Sequence, residues 1–286
     1  MHDTRAFYRP GEGLWRSLGY MLEGHSVLFV RDGEAFVPTP LARGPWSADA
    51  LHGGPPAALL ARAIERFEAD AAAPMFVTRF TMELLRPVPL APLRLVARFA
   101  RPGRKVQLVE AALHSATHEV ARATGLRIRM ADLALPADLV MEPVTQAPPE
   151  QGEPLAPRLG SFLPGFHSHA VEHRFVHGQL ITPGPATDWI RLKVPLLKGE
   201  EPSPLSRVCA AADFGNGVSQ ILGGDFTYIN PDLSVYLHRY PIDEWVCIDS
   251  VTRVEPHGVG LAESRILDRS GTIGRSLQSL IVEARL

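Results

Sequence analysis

The chain has 286 residues, enough for two ordinary domains or one large one. Its 29 basic and 31 acidic residues nearly cancel, which argues against a nucleic-acid footprint or a polybasic membrane anchor. Cys209 and Cys247 both sit in apolar runs, so they read as core side chains of a reducing compartment and not as a disulfide framework.

Met1-His2-Asp3-Thr4-Arg5 lacks the basic-then-apolar order of a signal peptide, and no apolar run approaches a membrane span, so a cytoplasmic location is expected. The first expected unit is a hairpin. Residues 26–31 and 34–37 are strand-like and flank Asp32-Gly33, a dipeptide suited to a tight turn. Pro38, Pro40 and Pro45 keep the next stretch irregular. His52-Gly53-Gly54-Pro55-Pro56 then opens a helix with Leu59, Leu60, Ala63, Ile64 and Phe67 on one side. Its glycines leave backbone N–H groups open to a ligand or another chain segment. A similar HGG occurs in α/β-hydrolases, but that reading needs a G-x-S-x-G elbow, and Gly24-His25-Ser26-Val27-Leu28 lacks the second glycine.

From Thr78 the pattern alternates: Phe80, Met82 and Leu84 against Thr81 and Glu83. Further strands are expected over residues 93–99, 106–113 and 120–129, an antiparallel meander following one helix. Residues 131–164 are rich in proline and polar side chains and read as a linker. Afterwards the plan repeats. Strands are expected near 170–176 and 190–194, a single helix over 204–222, and then strands over 232–239, 245–251, 260–267 and up to Arg285. Arg86 to Arg129 spans 43 positions and Arg239 to Arg285 spans 46, with the same strand-turn order. This predicts a duplicated α+β domain: residues 1–133, a Pro-rich linker over 134–164, and residues 165–286. A doubly wound parallel sheet would instead alternate strand and helix throughout.

Three side chains stand out as candidates. Asp213 is a lone carboxylate in the apolar 204–222 helix, costly there unless hydrogen-bonded or reactive. Gln278 shares one face of the last strand with Ser276, Leu280 and Val282, while Arg275, Glu283 and Arg285 mark the other face as solvent-facing. Asn230 precedes Pro231 at a strand entry. For each, the plain alternative is a polar group satisfied by backbone partners or a turn. His167, His169, His173 and His177 have no carboxylate or thiol shell in the sequence pattern, so no metal site is expected. Arg101, Arg104 and Lys105 read as a solvated hairpin tip, with a phosphate group as the alternative partner.

Gly44-Pro45-Trp46 with His52-Gly53-Gly54, Phe80 to Pro87, Asp232-x-Ser234-x-x-x-His238-Arg239, Glu244-Trp245, Asp268-x-x-Gly271, and Gln278 near Arg285 together resemble the acyl-CoA thioesterase II family, from about residue 25 to the C-terminus. The resemblance implies an α+β double hotdog, two tandem repeats each wrapping a curved antiparallel sheet around a central helix. It also implies a water held by an Asp, a Thr and a Gln. These positions fall on Asp213, Asn230 and Gln278, so Asn stands where the family has Thr. The implied activity is hydrolysis of an acyl-CoA to free acid and CoA, with no cofactor and no metal. Acyl-CoA is the expected partner, with neither nucleic acid nor membrane, in a homo-oligomer, a dimer. The alternatives are a non-catalytic acyl or acyl-CoA binding protein on the same fold and, third, a hydratase or dehydratase. The third ranks last because His52 and Asp213 fall in different repeats. By the same logic the first repeat, with HGG but Ala61 where an acid would come, is expected to serve packing and acyl-chain binding.

Overall fold

The computed structural model describes residues 24–136, 138–139, 144–155, 165–180 and 182–285. Residues 1–23 and much of the expected linker, including Pro143, Pro157 and Pro164, lie outside them.

The opening hairpin forms from β1 (Phe29–Asp32) and β2 (Ala35–Pro38). Asp32 pairs with Ala35, so the two-residue turn is Gly33-Glu34, one position later than expected. Gly33 supplies the positive φ, 57°, that a primed turn requires at its first position. Helix α1 (Gly54–Arg66) follows, with Pro55 and Pro56 in its first turn, where a missing N–H breaks no intrahelical bond. Leu59, Leu60 and Ile64 are fully buried. The meander is β3 (Met75–Leu84), β4 (Leu93–Arg101), β5 (Val106–His114) and β6 (Glu119–Arg129).

In the described part of the linker, β7 (Glu153–Pro154) pairs with β8 (Val171–His177), which leads to β9 (Ala186–Leu192). The single helix expected over 204–222 is instead two pieces, α2 (Pro204–Ala212) and α3 (Gly215–Val218), broken at Asp213-Phe214. Gly215 and Gly217 lower helix propensity there. The chain also passes so close to the last two strands that a Cβ on Gly215 would lie 2.8 Å from Ser264 Oγ and 2.9 Å from Gln278 Oε1. Then come β10 (Phe226–Ile229), β11 (Asp232–Leu237), β12 (Val246–Val254), β13 (Val259–Asp268) and β14 (Gly271–Ala284).

Among the described residues the strands form one antiparallel sheet in the order β1-β2-β4-β5-β6-β3-β11-β14-β13-β12-β9-β8-β7, with β10 also on β14. The β3–β11 seam, Phe80 opposite Val235 and Thr81 opposite Ser234, joins the two halves and removes two open sheet edges. β10 and β11 share one edge of β14 and are interrupted at Asn230-Pro231. Pro231 has no N–H to donate, and across the gap the Asp232 carboxylate accepts the Ser279 N–H at 2.7 Å. The inward face expected for Ser276, Gln278, Leu280 and Val282 is the buried one.

α1 and α2 lie against each other inside the sheet, running in opposite senses. The start of α1 meets the end of α2 at Gly53 and Asp213, and the end of α1 meets the start of α2 at Glu65 and Ser203. Ser203 Oγ caps α2 by accepting the Ser206 N–H at 3.1 Å and donates to Glu65. Burial pushes the Glu65 carboxyl up to about 7, against the opposing pull of Ser203 and Arg66. A folded-state value above the unfolded one means stability is greatest at low pH and is lost as pH rises from about 4.5 through 7. Glu65→Gln removes this titration and still accepts from Ser203. Its stabilising effect should be about 2–3 kcal/mol larger at pH 8 than at pH 5, measured by urea unfolding. An effect independent of pH would show that Glu65 does not titrate in this range.

No helix among the described residues is long and apolar enough to cross a membrane.

Candidate active site

Asp213 sits where α2 ends, 4% exposed, with its carboxylate held between groups from both halves of the chain. Oδ1 accepts from Asn230 Nδ2 at 3.0 Å. Oδ2 lies 2.8 Å from His52 Nδ1. The carboxylate lies directly over Gly53, where a Cβ would come within 2.6 and 2.7 Å of its two oxygens. A glycine is therefore required for the acid to reach the N-terminus of α1, whose dipole favours negative charge.

His52 Nδ1 is also 3.1 Å from the Gly54 N–H. The imidazole packs against two nearly parallel rings that also touch each other, Phe214 at 4.6 Å and Phe166 at 5.2 Å between centroids. Trp46 approaches His52 at 5.6 Å and is 65% exposed, so its indole forms the solvent side of the site. The other candidates arrive because of the break in β14's edge. Asn230 stands at the gap between β10 and β11, and its Oδ1 is 3.4 Å from Asn216 Nδ2. Gln278, 1% exposed, accepts the Asn216 N–H on Oε1 at 3.0 Å and donates from Nε2 to the Asp213 carbonyl at 3.3 Å. Its amide splints the Asp213–Asn216 turn, leaving one N–H and one lone pair for another partner.

The structure therefore brings Asp213, Asn230 and Gln278 into one cluster and adds His52 to it. His52 and Asp213 do belong to different repeats, but the expectation that this keeps them apart is incorrect. The first repeat is not a bystander either: its His52-Gly53-Gly54 turn and the second repeat's acid form one site, because the two helices pack in opposite senses. Among the described residues no group of three or more His, Cys, Asp or Glu is arranged to hold a metal ion. Arg101, Arg104 and Lys105 are exposed at the β4–β5 tip.

Models of two domains match the chain: the acyl-CoA thioesterase N-terminal domain over residues 42–128 and the acyl-CoA thioesterase C-terminal domain over residues 136–282. The chain belongs to the acyl-CoA thioesterase family. It is a thioester hydrolase. No curated protein matches it. Solved structures similar to this thioesterase include a protein assigned as a thioesterase II from Thermobifida fusca YX, at 18% identity and a TM-score of 0.68 over 93% of this chain and 97% of that one. A hot dog fold protein from Alicyclobacillus acidocaldarius matches at 15% identity and 0.67, over 90% and 96%. An acyl-CoA thioesterase II from Mycobacterium marinum matches at 15% and 0.61, over 88% and 94%. At these identities the likeness establishes the fold, a double hotdog.

Sequence reasoning did not place His52, Phe166, Phe214 or Asn216 in the thioesterase's site. The HGG turn was visible, but its partner was not, since nothing local to residue 52 encodes contact with residue 213. Asn216 contributes through its backbone N–H and a side chain that both face polar partners, a role without a periodic signature.

Proposed function

We propose that this thioesterase hydrolyses an acyl-CoA by direct attack of a water molecule that Asp213 deprotonates. The observation that carries the reading is the nearly buried Asp213 carboxylate, bracketed by His52 and Asn230 at the start of α1. The water oxygen forms a bond to the thioester carbon while Asp213 takes the proton. The tetrahedral oxyanion then collapses, the C–S bond breaks, and the thiolate of CoA takes up the proton. Pro55 and Pro56 carry no N–H and the Gly54 N–H faces His52, so the start of α1 offers the carbonyl oxygen a donor at Gly53. Asn230 aims the water with Asp213, and Gln278 holds the turn that carries the acid and offers its remaining N–H to the water. His52 sets the Asp213 oxygen it touches. A thioester carbonyl is electrophilic enough for this route to need no metal or cofactor, so chelators should leave the rate unchanged.

Single-turnover hydrolysis in 18O-water, followed by mass spectrometry, tests the route. Direct attack places the label in the released acid. Label found in Asp213 would mean an acyl-enzyme anhydride and would overturn it. Asn230→Ala should lower kcat about tenfold or more by freeing the water and one carboxylate oxygen, while Asn230→Thr should restore most of the loss. Steady-state kinetics on a panel of acyl-CoAs check both. Equal rates for all three forms would remove Asn230 from the mechanism.

The His52–Asp213 contact also supports a second reading, an enoyl-CoA hydratase, in which one of the two groups takes a proton from a water that adds to carbon 3 and the other delivers a proton to carbon 2. Loss of enoyl absorbance without thiol release would favour it.

The proposal includes the division into residues 1–133, a linker over 134–164 and residues 165–286. The free, buried Cys209 and Cys247 support a cytoplasmic setting. Tyr236, Leu277 and Ile281, exposed on the outer face of the sheet, support assembly as a homo-oligomer, a dimer.

A further inference from the structure

A second buried imidazole–carboxylate pair stands behind the site and takes no part in the chemistry above. His173 of β8 and Asp188 of β9 are 4% and 0% exposed, with Nδ1 2.6 Å from Oδ2. The other ring nitrogen, Nε2, lies 3.1 Å from the carbonyl oxygen of His167. Asp188 Oδ1 accepts the Arg174 N–H at 3.1 Å. A carbonyl oxygen can only accept, so Nε2 must carry a proton. Nδ1 then meets a carboxylate oxygen at hydrogen-bond distance, which requires one more proton between the two groups, on either atom. The pair is complete only with both protons in place.

What it holds is the frame of the His52 imidazole. The His173 ring meets Phe214 edge-on, at 4.9 Å and 86°. Phe214 follows Asp213 in the chain and forms one wall against His52. The carbonyl that His173 grips belongs to His167, next to Phe166, the second ring against His52. One side chain therefore fastens both rings that His52 packs against. We infer that His173 and Asp188 are positioning residues that set the His52 ring, and through it the Asp213 carboxylate, by way of Phe214 and the 166–170 turn. The titratable groups around the pair are His167 on that turn, His52 beyond Phe214, and Cys247 on β12, whose thiol is pushed well up by burial and by the charge of Asp188.

This inference rests on the water-activation reading, and its test separates the two. His173→Ala should lower kcat tenfold to a hundredfold with KM within twofold. Asp188→Asn keeps the arrangement, since its amide can donate to Nδ1 while Nε2–H stays on the His167 carbonyl. It should recover most of that loss, whereas Asp188→Ala should not. In the wild-type protein, 15N-resolved NMR of the His173 ring should show Nε2 protonated and a strongly downfield proton at Nδ1. An unprotonated Nε2 overturns the inference, even if His173→Ala does not fold. So does a folded His173→Ala with unchanged kcat, or one that raises KM alone. Asp213→Asn is assayed alongside. If it retains hydrolysis, the water-activation reading fails. If it is inactive while His173→Ala is normal, only the positioning role falls.

Discussion

Asp213→Asn should lower kcat for thioester hydrolysis by about 10²–10⁴-fold, the range a positioned general base supplies. The substitution preserves the volume of the side chain and its place at the end of α2. Its amide oxygen can still accept from Asn230, and its NH₂ can face His52 Nδ1 as a donor. What it loses is the ability to take a proton from water. KM for acyl-CoA and the unfolding midpoint should therefore change little, because Asp213 is only 4% exposed and offers a ligand little surface to grip. Thiol release from a panel of acyl-CoAs, measured with thermal unfolding of both forms, gives the answer. Activity that survives unchanged would remove Asp213 from the mechanism. Inactive Asp213→Asn protein that acyl-CoA still protects against heat would show binding separated cleanly from chemistry.

The second large effect is expected from a single methyl group. Gly53→Ala puts a Cβ 2.6 and 2.7 Å from the Asp213 oxygens and 2.9 Å from Cγ, distances that force the carboxylate to move. The backbone itself accepts the change: Gly53 has φ −66° and ψ −25°, an ordinary helical conformation. Alanine also limits the unfolded chain more than glycine does, a gain of up to about 1 kcal/mol that offsets part of the collision. The result should be a folded protein whose kcat is down by about 100-fold, the cost of displacing a reacting group by roughly an ångström. Unchanged kcat would mean that the carboxylate need not lie over the turn. Together the two variants separate the identity of the base from its placement.

Much of this arrangement can be read along the chain. Alternation on β14 places Gln278 on the buried face without reference to any other element, because side chains on a strand alternate strictly. Asp213 stands out because a lone carboxylate among Val208, Cys209, Ala211 and Ala212 is costly to bury. The helix that carries it is less legible. Apolar spacing continues past Asp213 to Val218 and Leu222, yet Gly215 is pressed against Ser264 and Gln278, and the helix breaks there. That pressure comes from β13 and β14, 49 and 63 positions later, and no local window contains it. Asn230 reads only as the start of a strand. It reaches Asp213 because β10 and β11 share one edge of β14 and part at Pro231.

By itself the amino-acid order determined the duplicated helix-and-meander plan, the buried faces and the acid, since each depends on periodicity or on the cost of burying charge. The tertiary structure alone decided that His52 and Asp213, 161 positions apart, touch across the two repeats. The reason is physical. Periodicity says which face of an element is apolar, and not which end of one helix will lie against which end of another. Here the opposed packing of α1 and α2 turns two incomplete halves into one site.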